Sequence, residues 1–342
     1  MRYSKEQEKK DLIKINETLK KMPDYVSSYV MSIEFTTTSK TRREYVEDIY
    51  NFFEYVSENY ECGISNVTTK ILNELSKEYF EQYLHYLQNY EKKGRYYSNG
   101  TVSIKRKLSA LRGFMTYLFE NNKIDTNIIT KIKMPKLRHK EIIRMDKDET
   151  RDFLKTVEYG GNLTPKQAQY HQLQSTRDLA ICYLLLSTGI RVSECVGLDI
   201  KDVDFRKSCI SIIRKGGKED TVWFSDEASG YIREYYEQRK TIEAKEGSEE
   251  AFFLSSRRSR ITDRSVEYIV KKYALKAVPL KKITPHKLRS TYATAFYEQT
   301  GDIYLTAENL GHNSIETTKS YAELSDKRKE SHRNTISLMG ND

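Results

Sequence analysis

Residues 175–198 read STRDLAICYLLLSTGIRVSECVGL and join an apolar segment to a polar one across a glycine. Apolar side chains cover nearly every side of the DLAICYLLLS part, which predicts a helix buried in the centre of a domain. Ser175, followed three residues later by Asp178, resembles a capping box and predicts where this helix begins. Gly189 is a typical helix C-terminator, so Arg191 is predicted to lie at a helix junction where its side chain can be aimed.

The rest of this half of the chain is predicted to be helical with one β-hairpin. A helix starts near Glu149, and a polar segment over residues 160–175 separates it from the apolar helix. Residues 204–215 and 221–224, DFRKSCISIIRK and TVWF, are rich in β-branched and aromatic side chains and flank GGKED, which predicts a hairpin. Helical patterns return after it, including a helix opened by Pro285.

The first 120 residues read as successive helices, with no competing strand pattern. Residues 101–120, TVSIKRKLSALRGFMTYLFE, have the clearest period. Their apolar side chains recur at spacings of four and three and predict one buried stripe, namely Ile104, Leu108, Leu111, Met115 and Leu118. Lys105, Arg106 and Arg112 point away from that stripe, and a helix that is packed on one side and cationic on another can lie against a DNA groove.

The length of 342 residues exceeds what one hydrophobic core usually fills, so we expect two domains. Residues 131–146, KIKMPKLRHKEIIRMD, combine a proline with seven basic side chains, the histidine included, and lack a helical period, which is typical of an extended linker. The predicted organisation is a helical domain over residues 1–132, a basic linker over 133–146 and a second domain over 147–342. The predicted fold class is therefore mainly α with a small β-sheet (α+β).

The positive charge of the chain is concentrated in one segment. The net charge is +9 and the isoelectric point is near 9.0, which favours a polyanionic partner. Residues 1–90 carry a net charge of −3, residues 91–140 carry +10 and residues 141–342 carry +2. The middle segment, which includes Lys131 and Lys133, has the composition of a phosphate-contacting surface, although an ordinary solvated basic face has the same composition.

Composition argues against a secreted, membrane or metal-binding protein. The N-terminal residues MRYSKEQEKKDL lack the apolar segment of a signal peptide, and the longest apolar run, LAICYLLL, is too short to span a bilayer. The four cysteines show no CxxC spacing, so neither a disulfide framework nor a zinc site is indicated. We expect a soluble, cytoplasmic protein without a cofactor, since the G-x-x-x-x-G-K-[ST] phosphate-binding pattern is also missing.

Four short segments of the second domain carry residues suited to phosphodiester chemistry. They are TGIRVSECVGL (188–198), RKGGKED (214–220), TPHKLRSTYAT (284–294) and LGHNSIETTKSYAEL (310–324). Each has an ordinary explanation when taken alone, such as a surface arginine, a hairpin lysine or a turn histidine. Together they supply what phosphodiester transfer without a metal requires.

The transition state of that reaction places negative charge on the non-bridging oxygens of the phosphate. Two guanidiniums neutralise such charge through fixed, bidentate donors, and Arg191 and Arg289 fit this role. A lysine on a mobile hairpin, here Lys215, can deliver the proton that the leaving 5′ oxygen needs. A tyrosine nucleophile, with a reference pKa near ~10, needs cationic neighbours and a basic imidazole, for which His286 and His312 are the candidates.

The order, spacing and composition of these segments strongly resemble the tyrosine recombinase (phage integrase) family, closely from about residue 145 onward and more loosely before it. The resemblance implies an active site formed by Arg191, Lys215, His286, Arg289, His312 and Tyr321, with Glu194 as a supporting residue. Ser290 stands where the family often has a histidine, at a position outside the catalytic set. Within the family, the polar segment at 160–175 and the absence of a separate arm-binding domain make the chain look like Xer-type recombinases, including the single-protein systems of Gram-positive bacteria.

The resemblance also implies a mechanism and partners. Tyr321 attacks a phosphodiester to form a 3′-phosphotyrosine, and the freed 5′ hydroxyl then attacks the phosphotyrosine of a partner duplex, so that no nucleotide cofactor is needed. The implied partners are double-stranded DNA with a specific recombination site, a homotetramer on paired sites and an accessory protein in some systems. The last residues, 326–342, are expected to contact a neighbouring protomer, because their apolar content is too thin for an independent core.

Other functions share this pattern and stay as alternatives at this point. The role within the family is either chromosome dimer resolution or integration and excision of a mobile element. A type IB topoisomerase uses similar chemistry on single duplexes, and a DNA-binding regulator on the same fold would have no covalent step. The intact set of six residues argues against the regulator, which does not need a tyrosine and a lysine placed in this way.

Overall fold

The computed structural model describes residues 3–92, 94–136, 142–161, 164–214, 217–312, 314–315 and 318. The chain divides into two compact units, Met1–Lys140 and Glu141–Asp342. Both are mainly helical, and each contains one small antiparallel sheet. The predicted fold class, mainly α with a small β component, is confirmed.

The helices of the first unit are α1 (Tyr3–Leu19), α2 (Asp24–Ser32), α3 (Ser39–Asn59), α4 (Thr69–Glu74), α5 (Lys77–Gln88) and α6 (Thr101–Glu120). Hydroxyl side chains begin three of them: Thr38, Thr68 and Ser76 accept a hydrogen bond from the first turn of α3, α4 and α5. The five side chains of the predicted α6 stripe are all buried. They belong to a core that also contains Phe52 and Phe53 of α3. The buried face of α6 that the spacing of its apolar residues predicts is therefore correct.

The prediction that the first 120 residues hold no strand was wrong. Strands β1 (Asn89–Lys92) and β2 (Arg95–Ser98) form an antiparallel hairpin in which Tyr90 pairs with Tyr97. Gly94 has a φ of +71° in the turn, a conformation that glycine adopts at little cost. All four residues of β2 are exposed, so the hairpin lacks the alternation of buried and exposed side chains that marks a strand in sequence.

The helices of the second unit are α7 (Lys147–Tyr159), α8 (Pro165–Thr188), α9 (Val192–Val196), α10 (Asp226–Lys240), α11 (Asp263–Ala277), α12 (Pro285–Thr300) and α13 (Ile303–Leu310). Strands β3 (Val203–Asp204), β4 (Cys209–Ile213) and β5 (Glu219–Trp223) form its sheet, and β4 and β5 make the predicted hairpin. Glu219 and Asp220, expected in the loop between the strands, belong to β5. From Leu179 to Leu185 every side chain of α8 is buried, as expected of a central helix.

The predicted start of the central helix at Ser175 was wrong. Helix α8 begins ten residues earlier, where Thr164 and Gln167 form a capping box and Pro165 occupies the first turn. Ser175 lies inside the helix. Asp178 caps nothing, because its carboxylate is buried and bonded to cationic side chains.

The structure covers the predicted linker only in part. Of the predicted linker, residues 133–136 and 142–146 are described and contain no helix or strand. Met145 is buried there, and its backbone N–H donates to Thr291 Oγ1 at 3.0 Å. The C-terminal residues 326–342 lie outside the described residues.

The four cysteines are free thiols. Among the described residues, no cluster of three or more His, Cys, Asp or Glu side chains could hold a metal ion. The helices in the described part of the chain are all too short or too polar to cross a membrane.

Candidate active site

Arg191 occupies the junction between α8 and α9. Helix α8 ends at Thr188 and is capped by Gly189, whose φ is +63°; a Cβ on Gly189 would lie 2.3 Å from a ring carbon of Tyr292, so only glycine fits. Arg191 is the N-cap residue of α9. Its backbone N–H donates to Glu194 Oε2 at 2.7 Å, and its Nη1 donates to Glu194 Oε1 at 2.9 Å. One carboxylate thus bonds both the backbone and the guanidinium of Arg191, and the supporting role of Glu194 stays a prediction.

Arg289 reaches the same junction from α12. Its side chain is buried, and it donates from Nη1 to the carbonyl of Gly189 at 2.7 Å and from Nη2 to the carbonyl of Leu310 at 2.6 Å. The Arg191 Nη2 donates to the next carbonyl, that of Gly311, at 3.2 Å. The two arginines thus meet at the C-terminal end of α13, where backbone carbonyls carry partial negative charge.

The two histidines of the predicted set lie in the electrostatic field of these arginines. His312 follows Gly311, the left-handed residue that ends α13, and its Nδ1 lies 2.9 Å from Thr318 Oγ1. Burial, followed by the charges of Arg289 and Arg191, lowers the pKa of His312 to about 4. The pKa of His286, in the first turn of α12, is also lowered, mainly by lost hydration and then by nearby cations. Both imidazoles are therefore neutral at neutral pH and can accept a proton.

The lowered pKa of His312 predicts how the stability of the protein depends on pH. The folded-state pKa is about 4 and the reference value is 6.5, so between these values the unfolded chain binds more protons and stability falls as the pH is lowered. His312→Gln removes this group, and we expect a smaller loss of melting temperature from pH 7 to pH 5 than in the wild type. His85→Gln, at an exposed position of the first unit, is the control. Equal slopes for His312→Gln and the wild type would contradict the prediction.

The structure also identifies a residue that sequence reasoning missed. Arg214 follows β4 and is buried, and its guanidinium contacts Glu194 and the last turn of α13. A signal was present in the sequence: Ile210, Ile212 and Arg214 alternate along the strand, which places the arginine on the same buried face as the two isoleucines.

Two members of the predicted set, Lys215 and Tyr321, lie outside the described residues. The other four are Arg191, His286, Arg289 and His312, and the structure brings them together around the ends of α8 and α13.

The predicted DNA-contacting residues of the first unit differ in their surroundings. Lys131 and Lys133 are exposed and Lys105 is half-buried. Arg106 forms a salt bridge with the buried Asp48 at 2.5 Å, and the Arg112 guanidinium donates to the carbonyl of Ile132. The charge of Arg106 is thus partly neutralised within the protein, whereas the two exposed lysines have the accessibility that a phosphate contact needs. All five stay predictions.

Both parts of the chain match models of known protein families. Residues 143–328 match the model described as "Phage integrase family", and residues 29–122 match "Phage integrase, N-terminal SAM-like domain". Two solved structures share the fold at low sequence identity. They are the Tn1549 transposon integrase in complex with circular intermediate DNA (TM-score 0.64, 17% identity, 89% of this chain and 97% of the other) and the XerH recombinase bound to its difH substrate after cleavage (TM-score 0.61, 20% identity, 86% and 78%).

Curated relatives are closer in sequence. The chain is 32% identical to the tyrosine recombinase XerS of Streptococcus uberis, over 92% of this chain and 95% of the relative. It is also 32% identical to the tyrosine recombinase XerS of Streptococcus mutans, with the same coverage of both chains. These matches extend across both units, and together with the family models they show that the chain belongs to the phage integrase family as a Xer-like tyrosine recombinase.

Proposed function

We propose that the chain cuts and rejoins double-stranded DNA at a specific site through a covalent bond to Tyr321. The observation that carries the proposal is the meeting of Arg191 and Arg289 at the end of α13, next to the neutral imidazoles of His286 and His312. Two guanidiniums beside two proton acceptors suit an in-line displacement at a phosphate.

The arginines would bind the non-bridging oxygens of the scissile phosphate. The Arg289 guanidinium is buried and held by two carbonyls, whereas the Arg191 side chain is 36% exposed, which leaves a path for a phosphate from the side of Arg191. Donors that are fixed before the substrate arrives do not have to reorganise when charge develops on the phosphate. The carbonyl contacts supply this fixation.

Proton transfer would be shared among the remaining residues. A neutral imidazole, His286 or His312, accepts the phenolic proton as the Tyr321 oxygen attacks phosphorus and the bond to the 5′ oxygen breaks. Lys215 protonates that leaving oxygen, a role that rests on the family resemblance. The reaction exchanges one phosphodiester linkage for another, the phosphotyrosine. Attack by a 5′ hydroxyl on this phosphotyrosine therefore restores the DNA backbone and frees the enzyme.

The two units would divide recognition and chemistry. We assign residues 1–132 to a DNA-binding domain and residues 147–342 to the catalytic domain; the exposed Lys131 lies at the end of the first and the exposed Lys133 at the start of the linker. The biological role that we propose is chromosome dimer resolution by a homotetramer on paired sites, as the resemblance to Xer-type recombinases implies, and the relatives are tyrosine recombinases named XerS. An accessory protein and association with the nucleoid belong to the same proposal.

The nucleophile can be tested with nicked suicide DNA substrates. We expect the wild type to form a covalent protein–DNA complex on a denaturing gel and Tyr321→Phe to form none, because a phenyl ring has no oxygen to attack phosphorus. Two substrates are compared, one with the DNA that flanks the gene and one with the replication terminus region, so that a mobile-element role and dimer resolution are separated.

The control variant is Tyr304→Phe, which removes the hydroxyl from an exposed tyrosine on α13. It is expected to react like the wild type. A covalent band that persists in Tyr321→Phe would overturn the assignment of the nucleophile. Relaxation of plasmids without a specific site would favour a topoisomerase over a recombinase.

A further inference from the structure

We propose that Arg214 is a positioning residue of the active site, which sets the distance between the guanidiniums of Arg191 and Arg289. The inference rests on the proposed function and deepens it. Arg214 directly follows β4, and its side chain is only 6% exposed. A buried guanidinium is costly unless its donors are paired, so the acceptors that it contacts show what it holds in place.

The first acceptor is the carboxylate that fixes Arg191. Arg214 Nη1 donates to Glu194 Oε2 at 3.3 Å, and Arg191 Nη1 donates to Glu194 Oε1 at 2.9 Å. The Glu194 side chain is only 5% exposed, so the two arginines rather than water determine its orientation. A shift of Arg214 would therefore move the carboxylate and, through it, Arg191.

The second acceptor is the carbonyl that fixes Arg289. Leu310 O accepts from Arg214 Nη1 at 3.1 Å and from Arg289 Nη2 at 2.6 Å, while Asn309 O accepts from Arg214 Nη2 at 2.7 Å. Arg214 thus shares one acceptor with each of the two arginines. It therefore connects the carboxylate at the Arg191 junction to the end of α13, in addition to the direct contacts of Arg191 with Gly311 O and of Arg289 with Leu310 O.

The backbone just before His312 is packed directly against this guanidinium. A Cβ on Gly311 would lie 2.7 Å from Arg214 Nε and 2.9 Å from its Cδ, so no larger residue fits without displacing Arg214. Asp220, on the neighbouring strand β5, accepts from Arg214 Nε at 2.9 Å. The guanidinium is therefore held from the sheet on one side while it holds the turn at Gly311 on the other.

A lysine at this position would keep the charge but lose the planar fork of donors. A single ammonium could not donate to Glu194, Asn309 O and Leu310 O together. The two catalytic guanidiniums would then lose the side chain that holds both in place. A displacement of about 1 Å in such a site costs about 10²-fold in rate.

The test compares two DNA substrates that differ only at the scissile phosphate. One has a normal phosphodiester, and the other has a methylphosphonate, which lacks the non-bridging negative charge that the arginines neutralise. Arg214→Lys is expected to slow covalent complex formation by about 10²-fold on the phosphodiester and much less on the methylphosphonate. An equal loss on both substrates would mean that Arg214 has only a general structural role, and would overturn the proposal.

Arg239→Lys is the matched control. Arg239 is equally buried in the same unit, and it donates to the carbonyls of Ala251, Ile242 and Glu249, away from the site. Its replacement is expected to lower the melting temperature but to leave the cleavage rate below that temperature close to the wild-type rate on both substrates. A comparable rate loss in Arg239→Lys would also overturn the proposal, since any buried arginine would then have the same effect.

Hydrogen exchange provides a measurement that needs no recombination. The amides of Gly311 and His312 donate to the carbonyls of Glu308 and Ala307 in the last turn of α13. We expect these two amides to exchange faster in Arg214→Lys than in the wild type or Arg239→Lys. Unchanged exchange would overturn the positioning role. A wild type that forms no covalent complex would count against the proposed function alone, and exchange would still decide the role of Arg214.

Discussion

Arg289→Ala is expected to slow the formation of the covalent protein–DNA complex by about 10³-fold or more, since loss of a single preorganised donor already costs about 10²–10³ in rate. The residue is 3% exposed, and its guanidinium bonds the carbonyls of Gly189 after α8 and Leu310 at the end of α13. Arg214 also bonds Leu310 O, but among the described residues no other cation bonds both this carbonyl and that of Gly189, so we expect the loss of Arg289 not to be compensated. The measurement is the single-turnover rate on a suicide substrate at saturating DNA.

Arg289→Lys separates chemistry from folding. Lysine keeps a positive charge inside the unit, but it lacks the planar fork of donors that bonds both carbonyls and a phosphate. We therefore expect a rate between those of Arg289→Ala and the wild type. DNA affinity in a gel-shift assay is expected to change little in both variants, because a guanidinium inside the site contributes to the transition state more than to groove binding.

Lys282→Ala is the control for Arg289, since it removes an exposed cation just before α12. Its rate at saturating DNA is expected to equal that of the wild type. If Arg289→Ala lost only affinity and kept its rate at saturating DNA, Arg289 would be a binding residue and its assignment to the transition state would be wrong.

Helices whose apolar side chains repeat on one face were predictable from the sequence. The stripe of α6 is such a case, because burial against α3 and propensity favour the same structure. The start of α8 was not predictable in the same way. Residues 165–174 are mostly polar, and His171 is the one buried side chain among them. Ser175 and Asp178 have the spacing of a cap, but the Asp178 carboxylate pairs with Lys272, 94 residues away in the chain. A local pattern cannot reveal such a partner.

The hairpin β1–β2 was missed for a different reason. Its residues bury little: Tyr90 is partly buried against the core of the first unit, and its ring stacks on Tyr97 with the ring centroids 5.1 Å apart. A method based on hydrophobic period has no signal to detect in such a segment.

The candidate site was predictable as a set of residue types but not as a geometry. The positions of Arg191, His286, Arg289 and His312 follow from motif spacing, and the structure places them together. The role of Arg214 depends on acceptors 95 and 96 residues further along the chain, at Asn309 and Leu310. Only the folded chain brings these acceptors to the arginine.

Asp178→Ala is expected to have the largest effect on stability, a loss of about 3–5 kcal/mol, because removing one partner of a buried ion pair leaves uncompensated charge. The carboxylate of Asp178 is 1% exposed. It accepts from Arg177 Nη2 at 2.6 Å, Lys272 Nζ at 3.1 Å and the Tyr273 hydroxyl at 2.9 Å. Alanine would remove the anionic acceptor that two cations and a phenol share in the interior between α8 and α11, and the neutral acceptors left to Arg177, Leu254 O and Gln174 Oε1, do not balance its charge.

Denaturant unfolding followed by tryptophan fluorescence measures the free energy of unfolding of the second unit, which contains Asp178, because the single tryptophan of the chain, Trp223, belongs to this unit. Asp148→Ala is the control, since Asp148 pairs with Arg151 on the surface, where such a bridge is worth about 0–1 kcal/mol. A loss as small for Asp178→Ala as for the control would mean that water replaces the carboxylate. It would then follow that the charges between α8 and α11 are not sealed from solvent, and that the central helix is held by its apolar side chains alone.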